Sequence, residues 1–221
     1  MVMELVTQFR SVLRGMNWLV LLLALASRGY AAGYENDFEK LTAGSVPEDF
    51  LVLDGGFTVK EEEGNKFLEL PGAPLESYGL LFGPNDTVGQ RVSGRILSAS
   101  KGRRSPTFGL GINGVSGFKL QLSPAKKVVE LLRGEALVTS APFEWASGKW
   151  TVFKLQLRKA ADGSHRVEGK VWLQGSAEPK EWTIGVEVKD LPPAGRATLS
   201  GSPYAGTPIR YDDLKVDRAG D

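Results

Sequence analysis

Apolar and polar residues trade places along two runs that flank Asp162-Gly163. In the first run Thr151, Phe153, Leu155 and Leu157 share a face; in the second, Val167, Gly169, Val171 and Leu173 do. A period of two marks a half-buried strand, and Asp-Gly between two such runs marks a hairpin turn. The opposite face carries Val152, Lys154, Gln156 and Arg158, then Arg166, Glu168, Lys170 and Trp172. A sheet that is apolar on one side must be covered, so this hairpin predicts a second layer.

The same alternation recurs. Phe108, Leu110 and Ile112 alternate, and so do Phe118, Leu120 and Leu122, around Asn113-Gly114, a favoured hairpin dipeptide. Other short runs cover 34–39, 50–53, 57–62, 66–70, 78–82, 88–98, 128–132, 136–139, 182–188, 197–200 and 209–216, with glycine and proline at the breaks. No stretch beyond the first 32 residues keeps a helical period, and no linker divides 34–218. About a dozen short strands in one domain predict an all-β fold, a two-sheet antiparallel jelly-roll sandwich.

The first residues have a different character. Arg10 and Arg14 precede the apolar run Trp18 to Ala26, and Ser27-Arg28-Gly29-Tyr30-Ala31-Ala32 follows. A basic start, a short apolar stretch and small residues form the pattern of a signal peptide. We expect a helical signal segment over 1–31, cut after Ala31, and one domain over 32–221. The apolar run is about half the ~20 residues of a membrane span. The expected location is therefore secreted or periplasmic.

Composition narrows the partners. Residues 1–31 hold Arg10, Arg14, Arg28 and Glu4, so their removal lowers the net charge of +1 by two, to −1. A near-neutral domain offers no extended basic face for nucleic acid or anionic lipid. Lys101-Gly102-Arg103-Arg104 is one short basic tip, read as a solvated turn. The chain has no cysteine, so an exported domain stands on its core without disulfides. With no Cys and a single His, His165, ligands for zinc or copper and the parts of a Ser–His triad are both lacking.

Several pieces carry a family resemblance. They are the opening Tyr-Glu-Asn-Asp-Phe-Glu with a following Gly and Pro, Gly148-Lys149-Trp150, Lys170-Val171-Trp172 with Glu178-Pro179 and Trp182, and the closing Tyr211-Asp212-Asp213-Leu214-Lys215-Val216. In order and spacing the chain resembles the concanavalin A-like, laminin-G-like jelly rolls of exported bacterial proteins. The resemblance implies that the first and last strands lie together, with Phe38 and Tyr211 as neighbours. Such folds host lectins, carbohydrate-binding modules, glycosidases and adhesive domains, so the activity must be argued from a site.

Three candidate sites follow. Endoglucanases of this fold carry Glu-x-Asp-x-Glu on one strand, and Glu35, Asp37 and Glu39 fit that spacing. Strand alternation puts the three on one face, the outer Cα atoms ~13 Å apart. Two features weigh against catalysis: the triplet opens the domain instead of sitting mid-sheet, and polar Asn36 stands where an apolar anchor belongs. Asp212 and Asp213, with Asp37 brought alongside by the terminal strands, are candidate ligands of a structural calcium, which takes roughly six to eight oxygens. The leading expectation is sugar binding on the concave sheet face. There Trp172 stacks on a ring while Lys154, Gln156 and Lys170 hydrogen-bond, and Lys119 and Gln121 extend the surface. Trp145, Trp150 and Trp182 lie near strand ends. The function expected is thus a non-catalytic module for glycan or another extracellular polymer; the alternatives are a glycoside hydrolase and a structural or adhesive domain that binds protein.

Overall fold

A computed structural model describes residues 33–86 and 88–219. The signal segment expected at 1–31 lies outside the described residues. The strands are β1 (Tyr34–Asn36), β2 (Leu51–Asp54), β3 (Thr58–Glu62), β4 (Asn65–Leu70), β5 (Tyr78–Asp86), β6 (Gln90–Leu97), β7 (Thr107–Ile112), β8 (Phe118–Ser123), β9 (Val128–Arg133), β10 (Ala136–Pro142), β11 (Thr151–Lys159), β12 (His165–Leu173), β13 (Ile184–Val188), β14 (Gly195–Ser202) and β15 (Ile209–Arg218). The described residues include no α-helix, and no helix among them is long and apolar enough to cross a membrane.

Two antiparallel sheets result. One runs β13-β12-β11-β6-β15-β4-β3, with β1 also paired to β15; the other runs β10-β9-β8-β7-β14-β5-β2. The chain crosses between layers after β1, β2, β4, β5, β6, β10, β13 and β14, the interleaving of a jelly roll. The first and last strands lie together, with Tyr34 opposite Val216 and Asn36 opposite Leu214.

Alternation decides what is buried. Along β6, Gln90, Val92, Gly94 and Ile96 are buried while Arg91, Ser93, Arg95 and Leu97 are half-exposed. In the hairpin of β11 and β12, Phe153 pairs with Val171 and Leu155 with Gly169 on the buried side; Val152 pairs with Trp172 and Lys154 with Lys170 on the other. Phe38, Phe50, Phe82, Phe108, Phe153 and Tyr211 fill the space between the sheets. Each such side chain contributes about 1.5–3 kcal/mol by leaving water. Phe38 stands edge-on to Phe50, while Tyr211 packs on Phe57. The turns use left-handed backbone where the sequence supplies it: Asn113 and Gly114 lie at φ 62° and 69°, and Gly163 at 87°.

The opening strand is shorter than its alternation predicts. It stops at Asn36, whose Oδ1 accepts the Phe38 N–H at 2.9 Å, and Phe38 turns into the core at φ 59°. A side-chain acceptor that caps the backbone two residues on ends the ladder.

Candidate functional site

The outer face of the seven-stranded sheet is hollow. Across its middle, neighbouring residues are Glu130 on β9, Gln121 on β8, Gly109 on β7, Ser200 on β14, Gly79 on β5 and Asp54 on β2. One step along, Lys119, Gly111 and Thr198 are neighbours. Glycine therefore leaves the centre bare. Two of these glycines are obligatory: a Cβ on Gly109 would lie 2.1 Å from Leu120 O, and one on Gly111 would lie 2.7 Å from Phe118 O. The backbone of β8 comes too close to β7 for β7 to carry a side chain at either position.

The resulting groove measures about 690 Å³, within the size of small-ligand clefts. Hydroxyls line its floor. Ser77 Oγ and Ser202 Oγ lie 2.6 Å apart. Ser200 Oγ is buried with no partner, an omission that costs about 1–3 kcal/mol unless a polar group meets it. The rim holds apolar and aromatic side chains: Leu53, Val115 and Tyr204, the last 47% exposed.

One carboxylate is fixed at the groove's side. Glu130 Oε2 accepts from Ser123 Oγ at 2.5 Å and Gln121 Nε2 at 3.2 Å, and Oε1 accepts from Lys126 Nζ at 2.8 Å. Burial alone would raise its pKa, but these three donors outweigh burial and hold it below the ordinary carboxylate range. Asp54 stands at the far end of the same row, five strand spacings or roughly 24 Å away. Glycoside hydrolysis needs carboxyl groups about 5–9.5 Å apart, so this pair does not serve.

The acids expected from the endoglucanase pattern do not line a strand. Since β1 ends at Asn36, only Glu35 lies on it, bonded to Lys215 Nζ at 2.5 Å. Asp37 Oδ1 accepts the Glu39 N–H at 3.2 Å, and Glu39 Oε1 accepts the Lys66 N–H at 2.9 Å. All three serve a turn and its neighbours. The calcium set disperses too. Asp212 is buried and takes Arg95 Nη2 at 2.6 Å and Asn65 Nδ2 at 2.9 Å. Asp213 Oδ2 lies 3.0 Å from Arg95 Nε. A guanidinium thus stands where a cation was expected, and no group of three or more acidic or histidine side chains suited to a metal occurs among the described residues.

The face around Trp172 belongs to the eight-stranded sheet. Trp172 is half-buried and Lys154 Nζ lies 5.7 Å from its ring centre. Lys154 and Lys170 are engaged by residues 174–183, which fold back over them. Glu178 accepts from Lys154 and Lys170 at 2.7 Å each, Pro179 O accepts from Lys170 Nζ at 2.8 Å, and Trp182 packs on Lys170 at 4.6 Å. Burial raises the Glu178 pKa, and the two lysines more than reverse that. Gln156 is sealed against Glu168 at 2.9 Å, with Arg158 on the same carboxylate. Lys170 and Gln156 are therefore buried and not open to a ligand. Gln121, expected to extend this surface with Lys119, lies on the opposite sheet in the groove. Alternation assigns a side to each residue of a strand but not the sheet that the strand joins. The other described tryptophans are occupied: Trp145 stands on Phe108, and Trp150 on Phe67 and Arg95.

No family model matches the chain, and no curated protein matches it. Solved structures do. A protein of unknown function with a galectin-like fold from Bacillus subtilis superposes with a TM-score of 0.60 at 12% identity, over 86% of this chain and 97% of its own. The potassium-bound carbohydrate recognition domain of Emp46p gives 0.58 at 12%, over 85% and 98%. Carbohydrate-binding module CBM66 from Bacillus subtilis gives 0.53 at 9%, over 76% and 95%. The fold is accordingly a galectin-like jelly-roll β-sandwich, of the concanavalin A-like kind. At these identities the likeness concerns the fold alone.

Proposed function

We propose that this domain is an exported, non-catalytic glycan-binding module, and that the groove of the seven-stranded sheet holds the sugar chain. The observation that carries the reading is the groove's construction. Gly79, Gly109 and Gly111 clear its floor, serine and threonine hydroxyls with the Gln121 amide line it, and Tyr204 stands exposed at its rim. Hydroxyl and amide groups match sugar hydroxyls, and an exposed phenol ring suits the apolar face of a pyranose. The fold neighbours that are carbohydrate-binding modules and recognition domains support the same reading. Glu130 and Asp54 stand at opposite ends of their row, beyond hydrolytic spacing.

The test is affinity electrophoresis through gels that contain neutral polysaccharides, comparing the protein with Gln121→Ala/Tyr204→Ala. Both residues are outward-facing, so the variant keeps its fold, checked by circular dichroism. We expect retardation in at least one gel, weakened about tenfold or more in the variant, with no release of reducing ends. Retardation that the double variant leaves intact would remove the groove from consideration.

A further inference from the structure

The Trp172 face has a second, smaller hollow that the groove reading does not use. It lies on the opposite sheet, measures about 300 Å³, and is bounded by Ser93, Arg95, Val152, Trp172, Gln174 and Asp213. We propose that it is a second glycan site, built for one neutral pyranose ring.

Its dimensions follow from the strand order. Trp172, Val152, Arg95 and Asp212 are consecutive neighbours across β12, β11, β6 and β15. That row spans three strand spacings, roughly 14 Å. The indole forms one wall, Val152 and the small hydroxyl side chain of Ser93 form the floor, and the Arg95 guanidinium forms the far wall. One sugar ring fills such a space; a chain does not lie flat in it.

The far wall is rigid before any ligand arrives. Arg95 Nη2 holds Asp212 at 2.6 Å and Asn65 Oδ1 at 3.0 Å, Nη1 reaches Gln174 Oε1 at 3.2 Å, and the guanidinium stacks on Trp150 at 4.7 Å. Gln174 spends its carbonyl on Arg95, which turns its NH₂ away from the guanidinium as a donor. Asp213 is placed by a distortion. The pairing of β15 with β6 shifts between Asp212 and Lys215, and Asp213 takes φ 51°, a left-handed conformation that costs an aspartate free energy. The bulge brings the Asp213 carboxylate to the hollow, where the side chain stays 57% exposed and 3.0 Å from Arg95 Nε. A carboxylate acceptor and an amide donor on one side, with an aromatic face on the other, suit a ring that is polar at its edge and apolar on its face.

The charges select a neutral ring. Arg95 is matched by Asp212 and Asp213, and Lys154 by Glu178. A uronate would meet Asp213 and Glu178, and an amino sugar would meet Arg95 and Lys154. Two sites on opposite sheets let one domain join two polymer strands.

The test is an NMR titration of the protein with cellotetraose, mannotetraose and xylotetraose, with tetragalacturonate as the charged comparison. The Trp172 indole and Val152 methyl signals report on the hollow, and the Gln121 side-chain amide reports on the groove. We expect at least one neutral tetrasaccharide to shift the Trp172 and Val152 signals at millimolar concentration. Trp172→Ala weakens the response at Val152 about tenfold, and Gln121→Ala leaves it in place. Asp213→Gly relieves the left-handed residue, so it holds or raises the midpoint of unfolding while it lowers affinity at the hollow. A merely structural Asp213 would leave affinity unchanged. If Gln121 responds and Trp172 does not, the groove reading stands and the second site falls; silence at both overturns both. A Trp172 response alone keeps the second site and overturns the groove. Tighter binding of tetragalacturonate than of any neutral sugar overturns the assignment to a neutral ring.

Discussion

Gly109 shapes the groove by what it lacks. Its position on β7 faces the hollow, yet the Leu120 carbonyl stands 2.1 Å from where a Cβ would be. Gly109→Ala therefore forces β7 and β8 apart, and we expect a loss of about 1–3 kcal/mol, of the size measured when a packed site is overfilled. Urea unfolding followed by circular dichroism measures it; an unchanged midpoint would mean that the two strands have room to spare. The sequence contains the signal, since Phe108-Gly109-Leu110-Gly111-Ile112 alternates large residues with nothing at all. Reading only the large residues gives the buried face of that strand correctly and overlooks that its other face is empty. Asp37 fails differently. Its spacing from Glu35 and Glu39 is right, but Asn36 and Phe38 turn the backbone before the pattern can be displayed.

Among the elements, the connection from β12 to β13 changes the site most. Periodicity assigns β11 and β12 their two faces correctly, because each strand's environment is set by its immediate neighbours. The covering of Lys170 was not legible, since it depends on where a loop of no regular pattern comes to rest, whereas Gln156 is sealed by Glu168 and Arg158 of the hairpin itself. That loop is held by Glu178 between Lys154 and Lys170. Glu178, Glu130 and Glu168 all have folded pKa values below the ordinary carboxylate value. Between the lowered folded values and about 4.3 in the unfolded chain, the unfolded state binds more protons, so stability rises with pH there. The contribution is complete above that range and is lost as pH falls through the folded values. Thermal unfolding from pH 7 to pH 3 should show Tm nearly level and then declining below about pH 4.5. Glu178→Gln should lower Tm at neutral pH and make the decline shallower. A decline of unaltered depth in that variant would show that Glu178 takes no part in it.

At the scale of the whole molecule, the two-sheet architecture was legible from alternation and the number of short strands, and the meeting of first and last strands from the family resemblance alone. Which sheet is hollow was not, because sheet membership is settled by pairings between residues far apart in sequence, such as Ser200 with Gly79 and with Gly109. The meeting of the ends has its own test. Tyr34 lies directly opposite Val216, within about 5.5 Å between Cα atoms for an antiparallel pair. A circular permutant that joins Arg218 to Gly33 through a short glycine linker, and opens at Asp162-Gly163, should fold with both hollows intact. Loss of the cooperative thermal transition would show that the hairpin of β11 and β12 must be continuous.

The neighbouring ends also fix how the domain meets its surroundings. Anything fused at either end departs from one point beside the β1–β15 pair. Neither hollow lies where the two ends meet, so a partner fused at either end leaves both open.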